Sequence, residues 1–281
     1  MLTWNLFNAE LLKARKMPIN IVLMIAMSTL GILFLGGFTL LALAYGNNYI
    51  GDPEYIYSYP NSLYLTTVAI STFSAMICII YSANSVGTEY GRDTWKMLLP
   101  RYGSRVAFLS SKLAVALLAM IIYIILTFAV WLLFSYLCTK VLRVNATSVY
   151  VGVGEFNLTY SVKMITMTMV RMIFYGLVTM LVTIAFRSLI GGVVAGMGLS
   201  FTLSNVNEIP VKALVRAIPT THIANIEAYW IKDDKALERI QASFGYAISP
   251  NVSIMVVSVS ILIIIGLMFY LFHRRDMAGL G

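Results

Sequence analysis

The sequence predicts an all-α integral membrane protein with six transmembrane helices. Three observations carry that expectation. Apolar residues make up 59% of the 281, while Asp, Glu, Lys and Arg make up only 11%, less than half of the roughly 25% in an ordinary soluble domain. Mean hydropathy is +0.83. The few charges are unevenly spaced and leave long uncharged runs, each near the about 20 apolar residues that cross a bilayer as a helix. A soluble chain of this length needs more polar cover than 20 basic and 12 acidic residues supply. The net charge of +8 and the pI near 9.4 would suit nucleic acid only if the basic residues clustered on a soluble face. No nucleic-acid partner is expected.

The elements follow in order. Residues Met1 to Lys16 interleave Trp4, Leu6, Phe7 and Leu11 with polar side chains, unlike the continuous apolar run of a secretory leader. Trp4, Phe7 and Leu11 fall at i, i+3 and i+7, the spacing of one helix face. This predicts an amphipathic helix lying on the inner membrane surface. Lys13, Arg15 and Lys16 would meet anionic headgroups there. A plain basic flank to the first span is the alternative. Pro18 stops the helix, since proline lacks the N–H that a helix interior needs.

Spans are expected at about 19–45, 63–86, 113–139, 164–186, 188–206 and 252–272. The fourth contains Arg171, and a tight turn at Arg187 leads to the fifth. The fifth repeats Ser188, Gly192, Gly196, Ser200 and Ser204 at every fourth position. Such a small-residue ridge lets another helix approach closely, from the same subunit or from a second copy. Between the last two spans, Val206 to Asn251 is too polar to cross. No internal repeat or linker divides the chain, so residues 1–281 read as one membrane domain.

Charge orients the spans, because basic residues stay on the cytoplasmic side of short loops. The connection from Gly46 to Ser62 has no Lys or Arg, whereas Gly87 to Lys112 carries Arg92, Lys96, Arg101, Arg105 and Lys112. Both termini are therefore placed inside. That leaves eleven basic and four acidic residues inside, eight of each outside, and Arg171 within the membrane.

The Gly87 to Lys112 connection carries the most information. Gly91 precedes, and Pro100 stops, a short helix candidate from Asp93 to Leu99. Trp95, Leu98 and Leu99 form one apolar face at i, i+3 and i+4. Ser104 is placed to cap the next helix. A short amphipathic helix of this kind docks in a partner's groove or lies on the membrane.

This connection resembles the membrane subunits of type 2 ABC (ATP-binding-cassette) exporters. The resemblance rests on Glu89, Gly91 with Thr94, Leu98 with Leu99, Arg105, and Lys112. It departs at Gly91, which Arg92 and Asp93 separate from Thr94. The N-terminal run Glu10-Leu11-Leu12-Lys13 with Arg15 is similar to the family's first helix. The resemblance implies a permease subunit that works as a dimer with itself or a related permease. It implies that a separate cytoplasmic ATPase holds the ATP and Mg and grips the coupling helix on the second connection. Trp95, Leu98 and Leu99 would be the docking face. Glu89, Asp93, Lys96, Arg101 and Arg105 would be its polar rim. No phosphate-loop motif occurs in this chain, and none is required of a permease. The implied cargo is amphipathic: a drug, a peptide antibiotic or a lipid-linked molecule. Antimicrobial peptide resistance at a bacterial plasma membrane is one such role. For the polar segment between the last two spans, the family implies short helices dipping into the outer leaflet.

Other features carry less. Arg171 lines a pathway, pairs with an acid such as Glu155 or Glu208, or snorkels outward from near Lys163. Met164, Met167, Met169 and Met172 do not share one face, so packing is preferred to a copper site. Tyr49, Tyr55, Tyr57, Tyr59 and Tyr64 suit an aromatic belt. His222 and His273 fall on opposite sides of the bilayer and form no shared metal site. No nucleophile, acid and base stand at catalytic spacing. Cys78 and Cys138 lie in apolar runs as small hydrophobes. An integral-membrane enzyme and an ATPase-independent channel remain as alternatives to the transporter.

Overall fold

The structure is a computed structural model and describes residues 2–45, 59, 61–91, 104–142, 158–204, 218–232, 234–245 and 248–274. The described residues form helices α1 (Leu2–Lys16), α2 (Pro18–Tyr45), α3 (Asn61–Gly91), α4 (Arg105–Leu142) and α5 (Leu158–Phe186). These are followed by α6 (Leu189–Ser204), α7 (Pro219–Ile231), α8 (Asp234–Phe244) and α9 (Pro250–Arg274). Five of them, α2, α3, α4, α5 and α9, are long and apolar enough to cross a membrane.

The expected fifth span is the exception. Helix α6 has 16 residues and measures about 24 Å at 1.5 Å per residue, against a hydrocarbon core of about 30 Å. Apolar composition made 188–206 look long enough. Its first residues go instead to a turn, where Arg187 takes a left-handed φ of 52°. Ser188 then caps α6 by accepting a hydrogen bond from the Gly191 N–H at 3.2 Å. Ser188 thus serves the cap rather than the packing ridge.

The two glycines of the ridge face inward. A methyl group at Gly192 would collide with Thr183 of α5, and one at Gly196 would lie 2.6 Å from Thr179 Oγ1 and 2.8 Å from Ile79 of α3. The small residues therefore receive neighbours of the same chain. Ser200 is half-buried, while Ile190, Val194 and Phe201 on the same helix are exposed.

Helix α3 is the centre of the bundle. It packs against α2, α4, α5 and α6. Cys78 and Ser82 of α3 and Met120 of α4 close on Gly176 of α5. Against α2, the Trp131 ring of α4 covers Gly31. Several of the buried hydroxyls bond to backbone carbonyls one turn back, as Thr66, Thr67, Thr179 and Thr183 do. That satisfies them without a cross-helix partner.

Helix ends are closed by local chemistry. The Asn20 amide donates to the Ala14 carbonyl across the α1–α2 elbow, and Pro18 opens α2. Ser104 Oγ accepts from the Ala107 N–H at 3.3 Å at the start of α4. Pro219 opens α7, and Lys232 closes it in the left-handed region with its N–H on the Ala228 carbonyl. At 38 residues, α4 runs about 57 Å and overshoots a bilayer core. Helix α1 lies along α4, with Leu6 of α1 and Phe108, Leu109 and Phe272 in one core cluster.

Candidate functional site

Where α1, α3 and α4 meet, four charged side chains close on one another. Each helix supplies neighbours of one face: Glu10 and Lys13 from α1, Ser85 and Glu89 from α3, Phe108 and Lys112 from α4. Residues three or four apart sit one above the other on a helix, so each pair reaches the same junction. The Lys112 ammonium lies 2.5 Å from Glu89 Oε1 and 3.0 Å from Glu10 Oε2. It also donates to the Ser85 carbonyl at 3.4 Å and sits 5.2 Å from the Phe108 ring centroid. Lys13 pairs with the same Glu89 oxygen.

The side chains of Glu89 and Lys112 are 2% and 3% exposed. Two carboxylates and two ammoniums leave the group formally neutral. Charges this deeply buried are tolerable only when paired and hydrogen-bonded. The cluster therefore fixes the mutual position of α1, α3 and α4.

Its place in the chain gives it a further meaning. Glu89 is two residues before the end of α3, and α4 begins at Arg105. The cluster thus stands at the root of the connection singled out in the sequence. At the other root, the Arg105 guanidinium donates to the His273 carbonyl at 3.1 Å. That carbonyl belongs to the last turn of α9, where helix carbonyls lack intrahelical donors. One root is tied to α1 and the other to α9.

Several expected site residues take other places. Glu89 is no rim group: α1 covers it, and Lys13 and Lys112 take up its charge. Arg105 turns back onto α9. Gly91 is exposed at the end of α3. Asp93, Thr94, Trp95, Lys96, Leu98, Leu99 and Arg101 lie outside the described residues. On α1 the buried position is Leu6, whereas Trp4 is 66% exposed with its ring stacked on Phe7. Phe7 and Leu11 are half-buried, and Arg15 and Lys16 are exposed. The Trp4, Phe7 and Leu11 stripe therefore flanks the face that docks on α4. In the sequence Glu10 had no role of its own. The available signal was its opposite-charge spacing to Lys13 in a chain with very few charges.

Arg171 has found an acid. It pairs with Glu227 of α7 rather than snorkelling toward Lys163; Glu155 and Glu208 lie outside the described residues. Glu227 comes with α7, which packs against α5 and α9. Nearby, His222 Nδ1 is 3.1 Å from Ser253 Oγ, and the Asn225 amide donates to that oxygen at 2.9 Å. These bonds seat α7 on the first turn of α9. His273 sits at the other end of α9. At the α7 end the Tyr64 and Tyr160 rings are 6.2 Å apart, and the Tyr59 N–H donates to Thr139 Oγ1.

No curated protein matches the sequence. The sequence model of the family described as ABC-2 family transporter protein matches residues 6–205. The match runs from α1 to the end of α6 and includes Glu10, Lys13, Glu89, Lys112 and Arg171. With five apolar helices of spanning length and a match over more than half its length, this chain belongs to the ABC-2 transporter family, as a multi-pass membrane permease subunit of an ABC transporter.

Proposed function

We propose that the chain is the permease of an ATP-driven exporter, gripped by a separate cytoplasmic ATPase through residues 93–99. The single observation that supports this most is the buried Glu10–Lys13–Glu89–Lys112 cluster. A push on the connection arrives at a junction shared by three helices, so it moves them together. Arg105 carries the same push to α9. The ATPase holds ATP and Mg, and its closure drives the spans between inward and outward states.

Six crossings with both termini inside suit the contacts. Helix α1 and the last turn of α9 both meet the first turns of α4, which supports an even number of crossings. Helix α6 is the fifth of the six crossings; a short span is accommodated by local bilayer thinning at modest cost. The end with α1 then faces the cytoplasm, and α7 and α8 lie toward the outer leaflet. The permease works with a second copy or a related permease in a bacterial plasma membrane. It exports an amphipathic drug, peptide antibiotic or lipid-like molecule.

The test is co-purification with the ATPase. Trp95→Ala with Leu98→Asp is expected to cut ATPase recovery at least tenfold while the permease still elutes as a monodisperse peak. Unchanged recovery would show that the docking face lies elsewhere.

A further inference from the structure

At the end opposite the charge cluster, α5, α7 and α8 line a partly open cavity of about 230 Å³. Its walls are mostly apolar and include Met164, Ala228, Ala236 and Ile240, with Tyr160 and Glu227 as polar groups. Tyr160, Met164 and Arg171 recur along one face of α5, at i, i+4 and i+11. Arg171 itself does not line the pocket, whereas Glu227 does.

The carboxylate is tied to α5. Arg171 donates one N–H to Glu227 Oε2. Among the described residues, Oε1 receives no hydrogen bond. A carboxylate has about four acceptor positions, so the arginine leaves acceptor capacity for another donor. Hydrogen bonds from a cation to a carboxylate are about twice as strong as neutral ones. The mostly apolar walls favour a group with a hydrocarbon body over a strongly hydrated ion. The volume equals roughly seven or eight waters of liquid, below the about 300–1,000 Å³ of drug-sized sites. It admits one ring or a short chain with an amine.

We propose that this cavity binds a small organic cation with an apolar body, such as the amine-bearing side chain of a larger amphipathic molecule. The ammonium donates to Glu227 Oε1, and the hydrocarbon lies against Met164, Ala228, Ala236 and Ile240. That the cation belongs to transported cargo rests on the exporter reading; binding itself does not.

The test uses the full chain in lipid nanodiscs without ATPase. Phenethylamine, 2-phenylethanol and 3-phenylpropionate share a body and differ in charge. Calorimetry is expected to show the amine binding at least tenfold tighter than the other two. Ala236→Trp fills the cavity without touching a charge and is expected to abolish that binding. Glu227→Gln is expected to erase the preference for the amine. Should that variant fold poorly, Arg171→Gln with Glu227→Gln keeps the wall neutral and is expected to behave alike. Equal affinity for the three compounds, or amine binding that survives Ala236→Trp, overturns the proposal. Adding the ATPase afterwards separates the two readings. Amine binding with no effect on ATP turnover leaves the site standing and removes its cargo role.

Discussion

Lys112→Met is expected to cost the fold about 3–5 kcal/mol, the usual loss when one member of a buried ion pair is removed. The substitution keeps a stem of four heavy atoms but loses the ammonium over the Phe108 ring. It strips the ammonium from between Glu89 and Glu10, which lie 2.5 and 3.0 Å away. Lys13 still reaches Glu89, but its side chain is 37% exposed and compensates less of a buried charge. Native stabilities of about 5–15 kcal/mol leave little reserve after such a loss. The measurement is melting temperature and monodisperse yield in mild detergent. A variant that melts with the parent would show that the cluster does not hold α1, α3 and α4 together.

The same site separates stability from coupling. Lys112→Met combined with Glu89→Leu and Glu10→Gln removes the three charges that meet at Lys112 and leaves the part-exposed Lys13 to solvent. Replacement of a buried ionic group by apolar residues of similar volume is often neutral or stabilising. This triple variant is expected to recover the parent's melting temperature. If the cluster carries the ATPase stroke, the triple variant folds, binds ATPase and fails to couple hydrolysis to export.

The second large effect is expected at Gly87, between Ser85 and Glu89 in sequence but on the other side of α3, against α6. A Cβ at Gly87 would stand 2.6 Å from the Leu189 Cα and 3.1 Å from its backbone nitrogen. A backbone obstacle cannot rotate away, so α6 must shift from α3. Overpacking of this kind costs about 1–3 kcal/mol, and more where the neighbour is rigid. Gly87→Ala is therefore expected to lower the melting temperature by several degrees, and Gly87→Leu to prevent a monodisperse fold. Gly266 of α9 is the control, with nothing within 4 Å of an added Cβ. Gly266→Ala is expected to be neutral or to gain up to about 1 kcal/mol from helix propensity. If the two alanine variants melt alike, the α3–α6 approach is looser than described.

Much of the architecture was written in the chain. Hydropathy marks the five long helices because a helix that crosses lipid needs about 20 predominantly apolar residues. Pro18 marked the elbow after α1, Ser104 the cap of α4, and Arg187 the turn into α6. Each acts through its own backbone, so no distant residue is needed to read it. The spacing of Gly192 and Gly196 marked a packing ridge, but not that Thr183, Thr179 and Ile79 fill it.

What the sequence by itself determined is therefore the set of axes, their apolar length, and where the few charges fall along them. What only the tertiary structure decided is which charges meet. Lys112 finds Glu10 across 102 residues, and Arg171 finds Glu227 across 56. With 20 basic and 12 acidic residues, opposite sign alone allows many pairings. Periodicity fixes the face a side chain occupies on its own helix, but not the helix that covers that face. Glu89 shows the consequence. As a residue it was a charge at the start of a polar connection. Under α1, desolvation makes its partners obligatory and turns it into an anchor.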